Sequence, residues 1–127
     1  MDALVISLHH VSVAVSDLEA AKRFYGGVLR LVELPRPPFD FEGAWYRIGD
    51  RQLHLIVHPP ARTLRGVSEI DSRDGHFAIR VKSFDETLAF LRGRGVTVRD
   101  RRENVTPWAQ LYVTDPDGNV IEFNAER

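Results

Sequence analysis

The chain predicts an α+β fold: two βαβββ modules whose strands form a cupped, mixed β-sheet with the helices on its outer face. Three observations predict it. Both halves open on alternating apolar runs, His10-Val-Ser-Val-Ala-Val and His76-Phe-Ala-Ile-Arg-Val. Each run is followed by a Ser-x-x-Glu helix start, Ser16–Glu19 and Ser83–Glu86. Each half then closes on a pair of strand-like segments, with Trp45 and Trp108 opening corresponding strands.

In order, residues 8–15 alternate as a strand, and Ser16 begins a helix through Lys22, Phe24, Tyr25 and Leu29. Gly26-Gly27 weakens that helix toward its end. Pro35, Pro37 and Pro38 make a loop, after which 45–48 and 52–58 form strands around the Gly49-Asp50 turn. Residues 59–75 are a polar connection. Residues 76–81 repeat the first strand, a second helix runs to about Arg94 and ends at Gly95, and 96–98 is a short strand. Residues 108–113 and 120–124 form a hairpin through Asp115-Pro-Asp-Gly118, whose Pro and Gly positions suit a type I turn. One domain therefore spans 1–127, with module one at about 4–58, a linker at about 59–75 and module two at about 76–127.

Composition narrows the partners. Seventeen basic against eighteen acidic side chains give a net charge of −1, without the basic footprint of a nucleic-acid binder or a membrane-surface protein. With no cysteine, any metal must be held by His, carboxylate or water. No apolar run approaches the roughly 20 residues of a membrane span, and the start lacks signal-peptide character, so a cytoplasmic protein is expected.

Strand alternation places the polar residues. Val11/Val13/Val15, Leu53/Leu55/Val57, Phe77/Ile79/Val81 and Ile121/Phe123/Ala125 make apolar faces for the helices. The opposite faces carry His10, His54, His76 and Glu122. From 10 to 76 and from 54 to 122 the separations are 66 and 68 residues, as a duplicated scaffold requires. Three imidazoles and a carboxylate suit Zn, Ni, Co, Mn or Fe(II), ions that accept both donor types. Arg80 and Asn124 share the inward faces as candidate substrate contacts, and Trp45 and Trp108 are candidate pocket walls. His58 is a candidate catalytic base beside Glu122. His9 faces away and reads as structural, and the arginines between 92 and 102 read as solvated surface.

These residues resemble the vicinal oxygen chelate superfamily, the glyoxalase/bleomycin-resistance/dioxygenase family. His10-Val-Ser-Val-Ala-Val-Ser-Asp-Leu is similar to its first strand and helix start, Gly75-His76-Phe-Ala-Ile to its fifth strand, and Asp115-Pro-Asp-Gly118 through Glu122 to its closing hairpin. The resemblance implies strands cupped around a divalent ion, with His10, His54, His76 and Glu122 at the four metal positions and dimerisation often completing the cup. It implies a metal-dependent, glyoxalase I-like lyase or isomerase acting on a small α-oxo or thiol-adduct substrate, in which the ion stabilises an enediolate-type intermediate and Glu122 doubles as base. Two departures from lactoylglutathione lyases are His54, where those enzymes usually carry Glu, and Ala14, where they carry an Arg for glutathione. Two alternatives follow from the same family: an Fe(II) ring-cleaving dioxygenase using His10, His76 and Glu122, and a non-enzymatic drug-binding protein of the bleomycin-resistance type. A homodimer is expected, because half a cup leaves strand edges and a polar concave face uncovered.

Overall fold

The computed structural model describes all residues, Met1–Arg127. Module one comprises β1 (His10–Val15), α1 (Leu18–Lys22), β2 (Val32–Leu34), β3 (Gly43–Ile48) and β4 (Arg51–Val57). Module two repeats the order as β5 (His76–Arg80), α2 (Phe84–Gly93), β6 (Arg99–Arg101), β7 (Trp108–Thr114) and β8 (Val120–Glu126). Each module makes one four-stranded sheet, ordered β1-β4-β3-β2 and β5-β8-β7-β6. In each, the first strand pairs parallel with the last, and the remaining pairs are antiparallel. The predicted α+β class and duplicated modules are what is observed. No helix is long and apolar enough to cross a membrane.

The helices cover one face of both sheets. Val15, Leu53, Leu55, Ile79, Leu111, Val113 and Ile121 join Phe24, Tyr25, Leu88 and Leu91 in one core shared by the modules. Val15, Leu53, Leu55, Ile79 and Ile121 are positions that alternation assigned to the apolar face, and Leu111 and Val113 join them from β7, so burial of apolar area sets which side of each sheet meets the helices.

Local details differ from the sequence reading in four places. The first helix is capped by Asp17, which accepts from the Ala20 amide, and Ser16 instead gives its amide and hydroxyl to the Asp117 carboxylate. Beyond Lys22 the helix widens into a π-helical turn, Arg23–Val28. A Cβ on Gly26 would lie 3.3 Å from the Tyr46 hydroxyl, so a bare position lets that turn lie against the sheet. The second module's edge strand is Arg99–Arg101 rather than 96–98, because Val96 and Val98 pack against the core. Val32–Leu34 is a strand that sequence left unassigned. The second cap is as expected, with Ser83 Oγ accepting from the Glu86 amide at 3.1 Å.

The Asp115–Gly118 turn fastens the modules together. Asp115, 4% exposed, accepts from the buried Tyr25 hydroxyl at 2.7 Å and from the Asp117 and Asn119 amides. Asn119 Nδ2 donates across to the Ala14 carbonyl at 2.9 Å. Gly118 has φ +85°, and a Cβ there would fall 1.8 Å from the Val67 carbonyl oxygen. Gly118→Ala is therefore expected to destabilise the protein by about 2 kcal/mol or more, since strain and a backbone clash act together. Urea denaturation checks this.

Candidate metal centre

The two candidate donor pairs occupy equivalent register positions. His10 opens β1, and two residues on Ser12 pairs with His54. His76 opens β5, and two residues on Ala78 pairs with Glu122. The duplicated parallel ladder thus sets one donor pair on each sheet.

On the second sheet, the His76 ring Nδ1 lies 2.8 Å from the Asp74 carbonyl. A carbonyl only accepts, so Nδ1 carries a proton, and Nε2 is the nitrogen that faces Glu122 Oε1, at 3.4 Å, and whose lone pair a metal ion would take. Arg65 holds Asp74 in turn, through a 2.8 Å ion pair. Glu122 is buried, and three neutral donors aim its carboxylate: Asn124 Nδ2 at 2.6 Å, Tyr112 Oη at 3.2 Å and Gln110 Nε2 at 3.2 Å. No Lys or Arg pairs with it.

The first sheet's pair is built differently. His54 is stacked between Trp45 and His10, with ring centroids 4.0 Å away on each side. Its Nε2 meets Gln52 Oε1 at 2.8 Å, which leaves Nδ1 as the unengaged nitrogen. Burial, then the neighbouring charges of His10, His9 and Arg36, lower its pKa to about 4. A histidine with a depressed folded pKa contributes stability that is present above its ordinary pKa of 6.5 and lost as pH falls toward 4. Melting of the metal-free protein is therefore expected to drop across that window, and His54→Phe should flatten the drop.

Within a single chain the four donors do not converge, and no group of three or more His, Asp or Glu side chains is placed to hold an ion. The ladders keep the pairs on separate sheets, although His10 and His76 line one cavity of about 350 Å³. His58 also stands apart. It is exposed beyond the end of β4, four residues and about 13 Å along the strand from His54. Its amide donates to Val15, and it does not line the cavities of His10, His54 or His76.

The other candidates fall into place around the pairs. Asn124 is buried against Glu122, and its Oδ1 has no partner. Trp108 is half-buried with Nε1 unpartnered, and the Arg80 guanidinium lies 5.5 Å from its ring. Trp45 packs on His54. Gln110 and Tyr112 were missed, yet the hairpin register carries them: Tyr112 pairs with Glu122 and Gln110 with Asn124, so they share its face. His9, read as structural, contacts His10 through Nδ1 at 2.9 Å.

With this geometry in view, the family model of the Glyoxalase/Bleomycin resistance protein/Dioxygenase superfamily matches residues 7–123. The chain belongs to that superfamily. Three similar proteins illustrate the range within it. A relative, glutathione transferase FosA of Serratia marcescens, is 29% identical over 118 residues, covering 93% of this chain and 79% of the relative. A glyoxalase family protein from Bacillus anthracis has a solved structure with a TM-score of 0.80, 28% identity and 97% coverage of each chain. TnmS3, an antibiotic binding protein from a Streptomyces species, has a TM-score of 0.74, 28% identity and 98% coverage of each chain.

Proposed function

We propose that this superfamily member is a divalent-metal-dependent enzyme acting on a small, oxygen-bearing electrophile with a thiol as reaction partner. The equivalent register of His10/His54 and His76/Glu122 carries the reading. His10, His76 and Glu122 would hold the ion, and His54, sandwiched by rings, would back His10. When bound, the ion would supply Lewis acidity to a substrate oxygen.

The donors suit an ion only when two half-sets meet, so a homodimer is part of the proposal. His10 and His54 of one chain would face His76 and Glu122 of the other. Leu4, Val5, Ile6 and Leu8, all exposed in the segment that leads into β1, would supply apolar surface for that contact.

Thiol transfer, a chemistry outside those expected from sequence, is favoured over the expected isomerisation of a thiol adduct. Isomerisation needs a base at the carbon that loses its proton. His58 is exposed beyond the end of β4, about 13 Å along the chain from His54, and the Glu122 oxygens already accept three hydrogen bonds. Opening an epoxide with a thiol needs no such base, because no C–H proton is lost: the C–S bond forms as a ring C–O bond breaks, and the thiol's proton passes through solvent to the released oxygen. The naming of one relative as a glutathione transferase agrees with this reading.

Two measurements test it. Metal-loaded protein is incubated with glutathione and a panel of epoxides and α-oxoaldehydes. Thioether formation from the epoxides that chelation abolishes is expected, whereas α-hydroxythioester formation from the α-oxoaldehydes without it would establish isomerisation instead. For the assembly, His10→Ala and Glu122→Gln chains are unfolded and refolded together. Sites shared between chains would restore about a quarter of the metal binding, because half the dimers are mixed and each rebuilds one site. No recovery would refute the shared site.

A further inference from the structure

We propose that module one carries a slot for the flat ring of an anionic aromatic compound, walled by Phe39, Phe41, Trp45 and His54 and read by Arg36. The proposal rests on the function above and deepens it by naming a substrate class. The rings form a continuous series. Phe41 stacks on Phe39 at 5.1 Å, Phe39 lies tilted 6.2 Å from Trp45, Trp45 stacks on His54, and His54 on His10. They border a cavity of about 180 Å³, sized for one small ring system. A ring seated there would lie beside His10, a candidate metal donor.

Two features point to a ligand. Phe39 and Phe41 remain 46% and 42% exposed, yet they sit on a loop stiffened by Pro35, Pro37 and Pro38. A preformed aromatic wall orders little on binding. Arg36 is the second feature. Its guanidinium sits 4.9 and 5.0 Å from the Phe39 and Phe41 ring centroids and donates to the Phe41 carbonyl at 2.8 Å, but it pairs with no carboxylate. A Cβ on Gly43 would lie 2.3 Å from the Leu55 carbonyl oxygen, so the strand pairing itself requires the bare position, and Arg36 Nε and Nη2 lie over it, 3.0 Å from where that Cβ would be. The remaining donors of Arg36 suit an acidic group on the ring's edge.

The test uses chelator-treated, metal-free protein, so the outcome is independent of the metal reading. Calorimetry compares 2-naphthoate with decahydro-2-naphthoate, a saturated acid of equal charge, and with neutral 2-naphthylmethanol. Naphthoate should bind saturably and about tenfold tighter than either, since only a flat ring stacks and only the acid meets Arg36. Phe39→Ala and Phe41→Ala should each weaken it about two- to tenfold. Arg36→Gln should weaken naphthoate and spare naphthylmethanol, with circular dichroism verifying the fold. Equal binding of the saturated acid, or unchanged affinity in the phenylalanine variants, overturns the proposal. So does a double variant that dissociates a dimer at unchanged affinity, which would assign the two rings to a second copy.

Discussion

Glu122→Gln is expected to lower divalent-ion affinity by more than about 100-fold while the fold persists. Loss of an outer partner alone typically costs 10- to 100-fold, and Glu122 is proposed as a direct ligand. Its environment explains the size of the effect. The carboxylate is buried, held by Asn124, Gln110 and Tyr112, and faced by His76 Nε2 at 3.4 Å. Neutral donors orient a negative charge without cancelling it, which leaves that charge for a cation. Gln matches the shape and removes the charge, so the variant separates ion binding from packing. Calorimetric titration with Zn²⁺, Mn²⁺ and Ni²⁺ measures the loss. Melting supplies an independent readout: the ion should raise the wild-type transition and not the variant's. Wild-type affinity in Glu122→Gln would exclude Glu122 as a ligand.

Asp115→Ala is expected to be the most destabilising single change outside the helix-facing core. One carboxylate satisfies the Tyr25 hydroxyl, the Asp117 and Asn119 amides and the Asn119 side chain. Its pKa is raised, chiefly by burial, with the hydrogen bonds from Asn119, Tyr25 and Asp117 opposing that shift. Alanine leaves buried donors without partners at about 1–3 kcal/mol each, and the turn that reaches Ala14 and Ser16 loosens with them. A total near 3–5 kcal/mol corresponds to a drop of roughly 10–20 °C in a domain of this size. Asp115→Asn keeps one acceptor oxygen and should lose less. A thermal shift of only a few degrees for Asp115→Ala would show that the turn is not what fastens the modules.

Much of the fold was legible because a sheet with one helix-covered face writes its pattern into every second residue. Val11, Leu53, Ile79 and Ile121 were assigned inward to the helices, and they lie in the core or pack against it. Misreadings occurred where local chemistry serves a distant partner. Ser16 looked like a cap, but its hydroxyl is spent on Asp117, 101 residues away. Val96 and Val98 have strand character but pack into the core, and the less apolar Arg99–Arg101 pairs with Gln110–Tyr112. Gln110 and Tyr112 follow from the hairpin register, but amides and phenols are not the usual metal donors, so no donor pattern in the sequence marks them.

The amino-acid order alone determined which side of each strand His10, His54, His76 and Glu122 occupy, because side chains alternate with a period of two whatever surrounds them. Their separation into two pairs was decided only in three dimensions. Strand alternation gives a direction and not a distance, and the spacing between sheets depends on helix packing, on the Asp115 turn and on what faces the open side. Those contacts join residues far apart in the chain, and no local pattern encodes them.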